Sequence, residues 1–102
     1  MTHTLGVDIG TFESKGVLVD AQGVVAAAAT RPHEMLVPRP GWAEHRPRQD
    51  WWGDFVAVTQ ELLASSGLPP DRIDAVAVSA IGPCMLPVDA AGEPLMNGVL
   101  YG

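Results

Sequence analysis

Three apolar segments rich in β-branched residues follow one another at the start of the chain, and they restrict its fold more than any other feature. They occupy residues 4–9, 15–20 and 24–31, and only residues 10–14 and 21–23 connect them. Parallel neighbours need a crossover of about a dozen or more residues, whereas antiparallel neighbours need only a short turn. The short connections therefore predict three strands that run antiparallel as a meander.

The middle of the chain predicts an irregular loop followed by one helix. Residues 32–47 contain four prolines and a glycine, which favours an ordered loop without regular structure. Pro47 suits the first position of a helix and Gly67 the position just past its end, so we expect a helix over residues 47–66. Arg46 stands where a helix-capping residue would be favourable, which weakens the helix start. The face expected to pack on the core contains Trp52, Phe55, Val56, Thr59, Leu62 and Leu63.

The end of the chain predicts a further buried strand and then a hairpin. The strand covers residues 73–79, and the hairpin joins residues 86–88 to residues 98–101 through a turn at 89–92. A Rossmann domain alternates strand and helix from its start, so this order excludes it, and the chain also lacks its glycine motif and a Walker A motif. The order favours an α/β fold of the ribonuclease H-like type, as a half-domain of the actin, Hsp70 and sugar kinase superfamily.

Charge and composition exclude several classes of protein. A net charge of −6 argues against a nucleic acid partner, because phosphate backbones are bound by clustered Lys and Arg. The Arg-rich stretch that carries His33 and His45 also contains acidic residues, so we interpret it as a solvated loop. No apolar run reaches membrane-spanning length, no signal peptide is evident, and Cys84 is the only cysteine. We therefore expect a cytoplasmic protein with no membrane partner, disulfide or cysteine metal cluster.

The first candidate site is the connection between the first two predicted strands, Asp8-Ile9-Gly10-Thr11-Phe12-Glu13-Ser14-Lys15. Gly10 allows a tight turn that brings backbone N–H groups close to a ligand, and Thr11 adds a hydroxyl group. Such a turn can cradle a phosphate, with Asp8 binding Mg²⁺ and Lys15 reaching the same place. The alternative is a plain β-hairpin turn whose Asp8 and Lys15 are solvated.

The second candidate site is the stretch from Gly41-Trp42-Ala43-Glu44 through Pro47 to Trp51-Trp52. Taken alone it predicts a rigid loop that leads into the helix. The tryptophans would then anchor the core, and Glu44 would be a surface charge.

Together these residues resemble the FGGY family of carbohydrate kinases. Asp8-Ile9-Gly10-Thr11 with Ser14-Lys15 is similar to the family's phosphate-binding turn, and Gly41-Trp42-x-Glu44 with Trp51-Trp52 is similar to its next motif. Asp89-x-x-Gly92-x-Pro94-Leu95 resembles its hairpin. The resemblance covers essentially the whole chain in the right order.

The resemblance implies an enzyme that transfers the γ-phosphoryl group of ATP to a sugar or polyol with Mg²⁺. Residues 1–102 would be its N-terminal domain, truncated, with the second, ATP-binding domain absent and the catalytic Asp expected beyond residue 102. This fragment alone should then be inactive, and a homodimer of the full-length protein is compatible with the family. The implied roles are metal binding by Asp8, phosphate binding by Gly10, Thr11 and Lys15, and substrate binding by Trp42, Glu44, Gly82 and Pro83.

The chain departs from the family pattern in the phosphate-binding turn and just after the strand predicted over residues 73–79. Phe12 replaces a second threonine of the turn, and Glu13 adds a negative charge. Xylulose kinases have Gln-Met-His-Gly and glycerol kinases Gln-Arg-Glu where this chain has Ile81, Gly82 and Pro83, so we expect another ketose, pentulose or polyol as the substrate.

Two alternatives remain: an actin- or Hsp70-like ATPase domain, and a non-catalytic binding or scaffold fragment.

Overall fold

The first three strands form the predicted antiparallel meander. The structure is a computed structural model that describes residues 2–101. Strands β1 (His3–Ile9), β2 (Glu13–Asp20) and β3 (Val25–Pro32) pair in sequence, each antiparallel to the one before. The prediction of a meander is confirmed, with strand bounds that shift by at most two residues.

A helix and a parallel strand complete this first sheet. Helix α1 (Asp54–Ser66) carries the chain across the sheet to β5 (Ile73–Ala80), which lies parallel to β1, so the strand order is β3-β2-β1-β5. Alternation along β1 and β2 turns one set of apolar side chains toward α1, where they bury surface from water. The core between sheet and helix consists of Leu5, Val7, Ile9, Leu18, Ala29, Val58 and Leu62.

The helical region differs from the prediction in its first two turns. Pro47–Gly53 is a π-helix, and the α-helix begins only at Asp54. A π-helix closes its hydrogen bonds one residue later than an α-helix, so counting 3.6 residues per turn from Trp52 shifts the predicted face. Of the residues predicted on that face, Leu62 is fully buried and Phe55 packs against the core. The buried residues of α1 are Asp54, Val58 and Leu62, whereas Trp52 is 67% exposed and stacks on Phe55. Gly67, with φ of 72°, ends the helix as predicted.

Asp50 compensates for the missing cap at the start of the helical region. The side chain of Arg46 makes no capping hydrogen bond, but Asp50 Oδ2 accepts the backbone N–H of Arg46 at 2.9 Å and Oδ1 accepts its Nη2 at 3.0 Å. Burial by itself raises the pKa of the Asp50 carboxyl group, but the hydrogen bonds and charge of Arg46 outweigh it and hold that pKa below its usual value.

We expect Arg46→Ala to lower the thermal unfolding midpoint of the full-length protein at pH 7, and we expect this effect to shrink progressively as the pH falls below the unfolded pKa of Asp50. The folded pKa of Asp50 is lowered, so its stabilisation is present above the unfolded pKa of about 3.9 and is lost as the pH falls further. Arg48→Ala is the control, because the ion pair of Arg48 with Glu93 is exposed on both sides. Equal midpoint shifts for the two variants would contradict this account.

Strand β5 is not buried, which corrects the prediction for residues 73–79. Ile73 is half-buried and the rest of the strand is exposed, including Val76 and Val78. The reason is its place at the edge of the sheet, since α1 packs mainly over β2 and β3. An apolar segment of the sequence predicts a strand, but it does not show whether a helix or a second sheet covers that strand.

A second, smaller sheet replaces the predicted terminal hairpin. Strands β4 (Glu44–His45), β6 (Cys84–Met85) and β7 (Gly98–Leu100) pair in the order β4-β7-β6, so β7 does not pair with residues 86–88. The turn at Asp89 is confirmed, because Asp89 Oδ1 accepts two backbone N–H groups and Gly92 has φ of 84°. Strand β4 lies inside the loop predicted to be irregular, and its pairing with β7 could not be read from composition.

None of the helices within residues 2–101 combines the length and the apolar character needed to cross a membrane.

Candidate functional site

Asp8 lies on the open face of the first sheet, opposite α1. Its neighbours Val7 and Ile9 are buried against the helix, and alternation along β1 therefore turns Asp8 outward. Asp8 is directly opposite Lys15 on β2 and Ser79 on β5. These three residues line one depression of about 370 Å³. The sheet register thus brings the predicted metal residue and the predicted phosphate cation to the same place.

Glu13 partly neutralises the lysine of this site. Lys15 Nζ lies 3.1 Å from Glu13 Oε1, and both side chains are well exposed to solvent. An exposed ion pair of this kind is weak, so an anion of higher charge can compete for the ammonium group. The acidic residue noted in the sequence therefore moderates the charge of Lys15 without burying it.

The turn between β1 and β2 directs its carbonyl groups inward and leaves two N–H groups free. Gly10 N–H closes the turn onto Glu13 O at 2.8 Å. Each carbonyl from residue 9 to residue 13 accepts a hydrogen bond, and the donors in order are Ile81 N, His33 Nε2, His45 Nε2, His33 N and Gly10 N. Within residues 2–101 the backbone N–H groups of Thr11 and Phe12 meet no protein acceptor. Free N–H groups beside occupied carbonyls are the arrangement that binds anions.

The backbone of this turn is held by His33, which was not predicted as a site residue. His33 Nε2 donates to Gly10 O at 2.8 Å, and His33 Nδ1 lies 2.8 Å from Asp54 Oδ2. Ser14 Oγ donates to the same Asp54 oxygen at 2.8 Å. Both partners of His33 are acceptors, so both of its ring nitrogens act as donors. Its side chain is only 2% exposed, so the interpretation of this stretch as a solvated loop is wrong for His33, although Arg31, Arg39 and Arg48 of the same stretch are exposed.

His45 holds the next carbonyl of the turn and is fully buried. Its Nε2 donates to Thr11 O at 2.8 Å, and its Nδ1 accepts Trp51 Nε1–H at 3.1 Å. Burial lowers the pKa of His45, which favours the neutral ring that this pair of partners requires. The ring hydrogen bonds of both histidines, except the one to Trp51, join residues 21 to 34 positions apart, so only the tertiary fold reveals them.

Trp42 and Glu44 do not line the depression that contains Asp8 and Lys15. They line a depression of about 280 Å³ with Met96, Val99 and neighbouring residues. Asn97 Nδ2 donates to Glu44 Oε1 at 3.1 Å, and the Arg39 guanidinium lies 5.0 Å from the Trp42 ring centroid. These two predicted substrate residues are therefore neighbours, with a carboxylate and an aromatic face on one wall.

Gly82 and Pro83 form an exposed loop after β5. They line neither the depression at Asp8 nor the one at Trp42. A Cβ atom added to Gly82 would meet nothing within 4 Å. Cys84 follows and is exposed. Within the part of the chain that the structure describes, this loop is open rather than the packed wall of a pocket.

Comparison with known proteins identifies the family. Residues 3–102 match the model of the FGGY family of carbohydrate kinases, N-terminal domain. The chain is 38% identical over 96 residues to a glycerol kinase of Methylorubrum populi, which covers 93% of this chain and 19% of that protein. The solved xylulose kinase from Rhodospirillum rubrum is 31% identical with a TM-score of 0.84, covering 96% of this chain and 20% of that one.

A solved glycerol kinase from Plasmodium falciparum shares the fold at 20% identity, with a TM-score of 0.78 over 98% of this chain and 20% of that one. The predicted ribonuclease H-like fold of the actin, Hsp70 and sugar kinase class is thereby confirmed. The chain spans about a fifth of the length of the relatives it matches. The chain belongs to the FGGY family of carbohydrate kinases, within its N-terminal domain.

Proposed function

We propose that the protein carrying this chain uses ATP to phosphorylate a sugar or polyol, and that the β1–β2 turn binds the transferred phosphoryl group. The observation that carries the proposal is the turn itself: its carbonyls are occupied, the N–H groups of Thr11 and Phe12 meet no acceptor among residues 2–101, and Asp8 and Lys15 pair on the two strands that it joins. The relatives support the same activity, since they include glycerol and xylulose kinases, and the Plasmodium glycerol kinase was solved with ADP.

The roles proposed for the turn residues follow from what phosphoryl transfer requires. The reaction depends on positioning and on neutralising charge rather than on covalent chemistry with the protein. The N–H groups of Thr11 and Phe12 and the Thr11 hydroxyl would donate to phosphate oxygens. Lys15 would offset their negative charge once it leaves Glu13. Gly10 allows the tight closure of the turn, since an added Cβ would lie 3.0 Å from Glu13 O.

Asp8 fits a Mg²⁺ ion that is brought mainly by the nucleotide. Residues 2–101 contain no group of three or more acidic, His or Cys side chains that could hold a metal by themselves. Mg²⁺ in kinases needs only one or two carboxylates, because phosphates and waters supply its other oxygens. When bound, the ion neutralises phosphate charge, and Asp8 is the residue that would hold it at this face.

Trp42, Glu44, Gly82 and Pro83 are proposed to contribute to the sugar site. Family membership favours a carbohydrate kinase over an actin- or Hsp70-like ATPase and over a scaffold. The cytoplasmic location, the second domain and its catalytic Asp, and a homodimer of the full-length protein remain predictions.

The test of the proposed function is phosphorylation of a panel of ketoses, pentuloses and polyols by the full-length protein. Xylulose and glycerol kinases have polar side chains where this chain has Gly82 and Pro83, so the open loop after β5 lacks the hydrogen-bonding groups that would recognise xylulose or glycerol there. We therefore expect a ketose, pentulose or polyol other than xylulose and glycerol to give the highest kcat/KM. A wide lead for xylulose or glycerol would contradict this reading of the loop, and ATP hydrolysis unaffected by every sugar would contradict the kinase proposal.

A further inference from the structure

We propose that His33 and His45 are positioning residues for phosphoryl transfer, because they fix the orientation of the two peptide groups whose N–H groups face the phosphate. This inference rests on the proposed function of the β1–β2 turn. It concerns two side chains that contact no substrate themselves.

The geometry of the peptide bond connects the histidines to the free N–H groups. A peptide group is planar and trans, so its C=O and its N–H point in opposite directions. Gly10 O belongs to the same peptide group as Thr11 N, and Thr11 O to the same group as Phe12 N. His33 Nε2 and His45 Nε2 hold these two carbonyls at 2.8 Å each. The two carbonyls bonded by imidazole are thus the partners of the two N–H groups without a protein acceptor.

Both imidazoles are themselves held on their far side. Asp54, at the start of α1, accepts from His33 and from Ser14, and Trp51 donates to His45. The two rings contact each other edge-to-face, with centroids 4.7 Å apart. All of these side chains except Trp51 are buried, so the turn is tied to the helical region by contacts that exclude water.

The histidines are needed because Gly10 allows the peptide group that follows it in the turn to flip. Gly10 has no Cβ, so the peptide group that follows it can rotate more easily than one between larger residues. A flipped group would turn its carbonyl oxygen, instead of its N–H, toward the phosphate and would repel it. Donors fixed in advance stabilise charge in the transition state without reorganisation, so the loss should fall on kcat more than on the KM for sugar.

His45 offers a matched pair of variants in the full-length protein. The amide nitrogen of Gln reaches the position of ring Nε2, whereas that of Asn reaches only the position of Nδ1. We expect His45→Asn to lower kcat by about 10–100-fold, the usual loss when a residue that orients a functional group is removed. His45→Gln should keep the bond to Thr11 O and remain at least about tenfold more active than His45→Asn.

His33 gives a second, independent pair if either His45 variant fails to fold. His33→Phe removes both hydrogen bonds of the ring, and His33→Gln can still donate to Gly10 O, so the Gln variant should retain the higher kcat. His3→Asn is the control, since His3 is buried at the opposite end of β1 and should leave kcat unchanged. The measurements are kcat, the KM for sugar, and the unfolding midpoint of each variant.

The results separate this inference from the proposed function. Equal kcat values for the Gln and Asn variants of His45, or losses confined to the KM for sugar, would overturn the positioning role. If Asp8→Ala abolishes activity while His45→Asn does not, only this inference fails. If Asp8→Ala itself leaves kcat intact, the assignment of the turn to the phosphate fails instead.

Discussion

Replacing Asp8 by alanine in the full-length protein is expected to lower kcat by about 10²–10³-fold and to change the KM for sugar little. Asp8 is exposed on the open sheet face and is paired in register with Lys15 and Ser79, next to the turn with two free N–H groups. Its proposed partner is the metal on the phosphate, whose charge matters most in the transition state. The core should be little affected, because Asp8 is exposed on the face of β1 opposite its buried side chains.

Two companion variants test whether the carboxylate charge is what matters. Asp8→Asn keeps the shape of the side chain and removes its charge, so we expect a loss close to that of alanine. Asp74→Ala removes an exposed carboxylate from β5 and serves as the control. Lys15→Ala should reduce kcat more mildly, because Glu13 already balances part of its charge. An Asp8 effect confined to the KM for sugar would place the turn at the sugar instead of at the phosphate.

The order of the first three strands was predictable from the sequence because chain connectivity determined it, whereas the pairing of β5 with β1 was not. Connections as short as residues 10–12 and 21–24 leave antiparallel pairing as the only geometry for β1, β2 and β3. The face of the helix was not predictable in this way, since the π-helix over Pro47–Gly53 changes the phase and no residue type signals it. The pairing of β4 with β7 joins residues more than 50 positions apart, which local patterns do not report.

In the candidate site, too, neighbours that are close in sequence were predictable, whereas contacts between distant residues were not. Asp8 and Lys15 could be placed together because they flank a hairpin turn, and the register of β1 and β2 makes them direct neighbours. His33 and His45 lie in a polar, proline-rich stretch that resembles a solvated loop. The residues next to a histidine in such a stretch do not indicate that its side chain is buried. Only the position of α1, which brings Asp54 beneath the turn, explains why His33 lies inside the protein.

A glycine on β2 determines how closely α1 can approach the sheet. Gly16 is buried, and a Cβ atom added there would lie 2.2 Å from Val58 Cγ1 and 3.1 Å from Leu62 Cδ1. Both helix side chains are fully buried, so neither can move into solvent. Gly6, on the neighbouring strand, differs because its added Cβ would meet Val17 at an ordinary 3.5 Å. Neither glycine has a positive φ, so the contrast between them is one of packing and not of backbone strain.

Gly16→Ala is therefore expected to destabilise the full-length protein by about 3 kcal/mol, the upper end of the usual cost of overpacking a core. Gly6→Ala should change the free energy of unfolding by less than about 0.5 kcal/mol. Val58→Ala removes the group that the new methyl would contact, so the cost of Gly16→Ala should shrink in that background, as expected for residues in contact. Chemical denaturation of the unsubstituted protein, the three single variants and the Gly16→Ala/Val58→Ala double variant measures these differences. Equal costs at Gly16 and Gly6, or a cost at Gly16 that is independent of Val58, would mean that α1 does not pack on β2 at this distance.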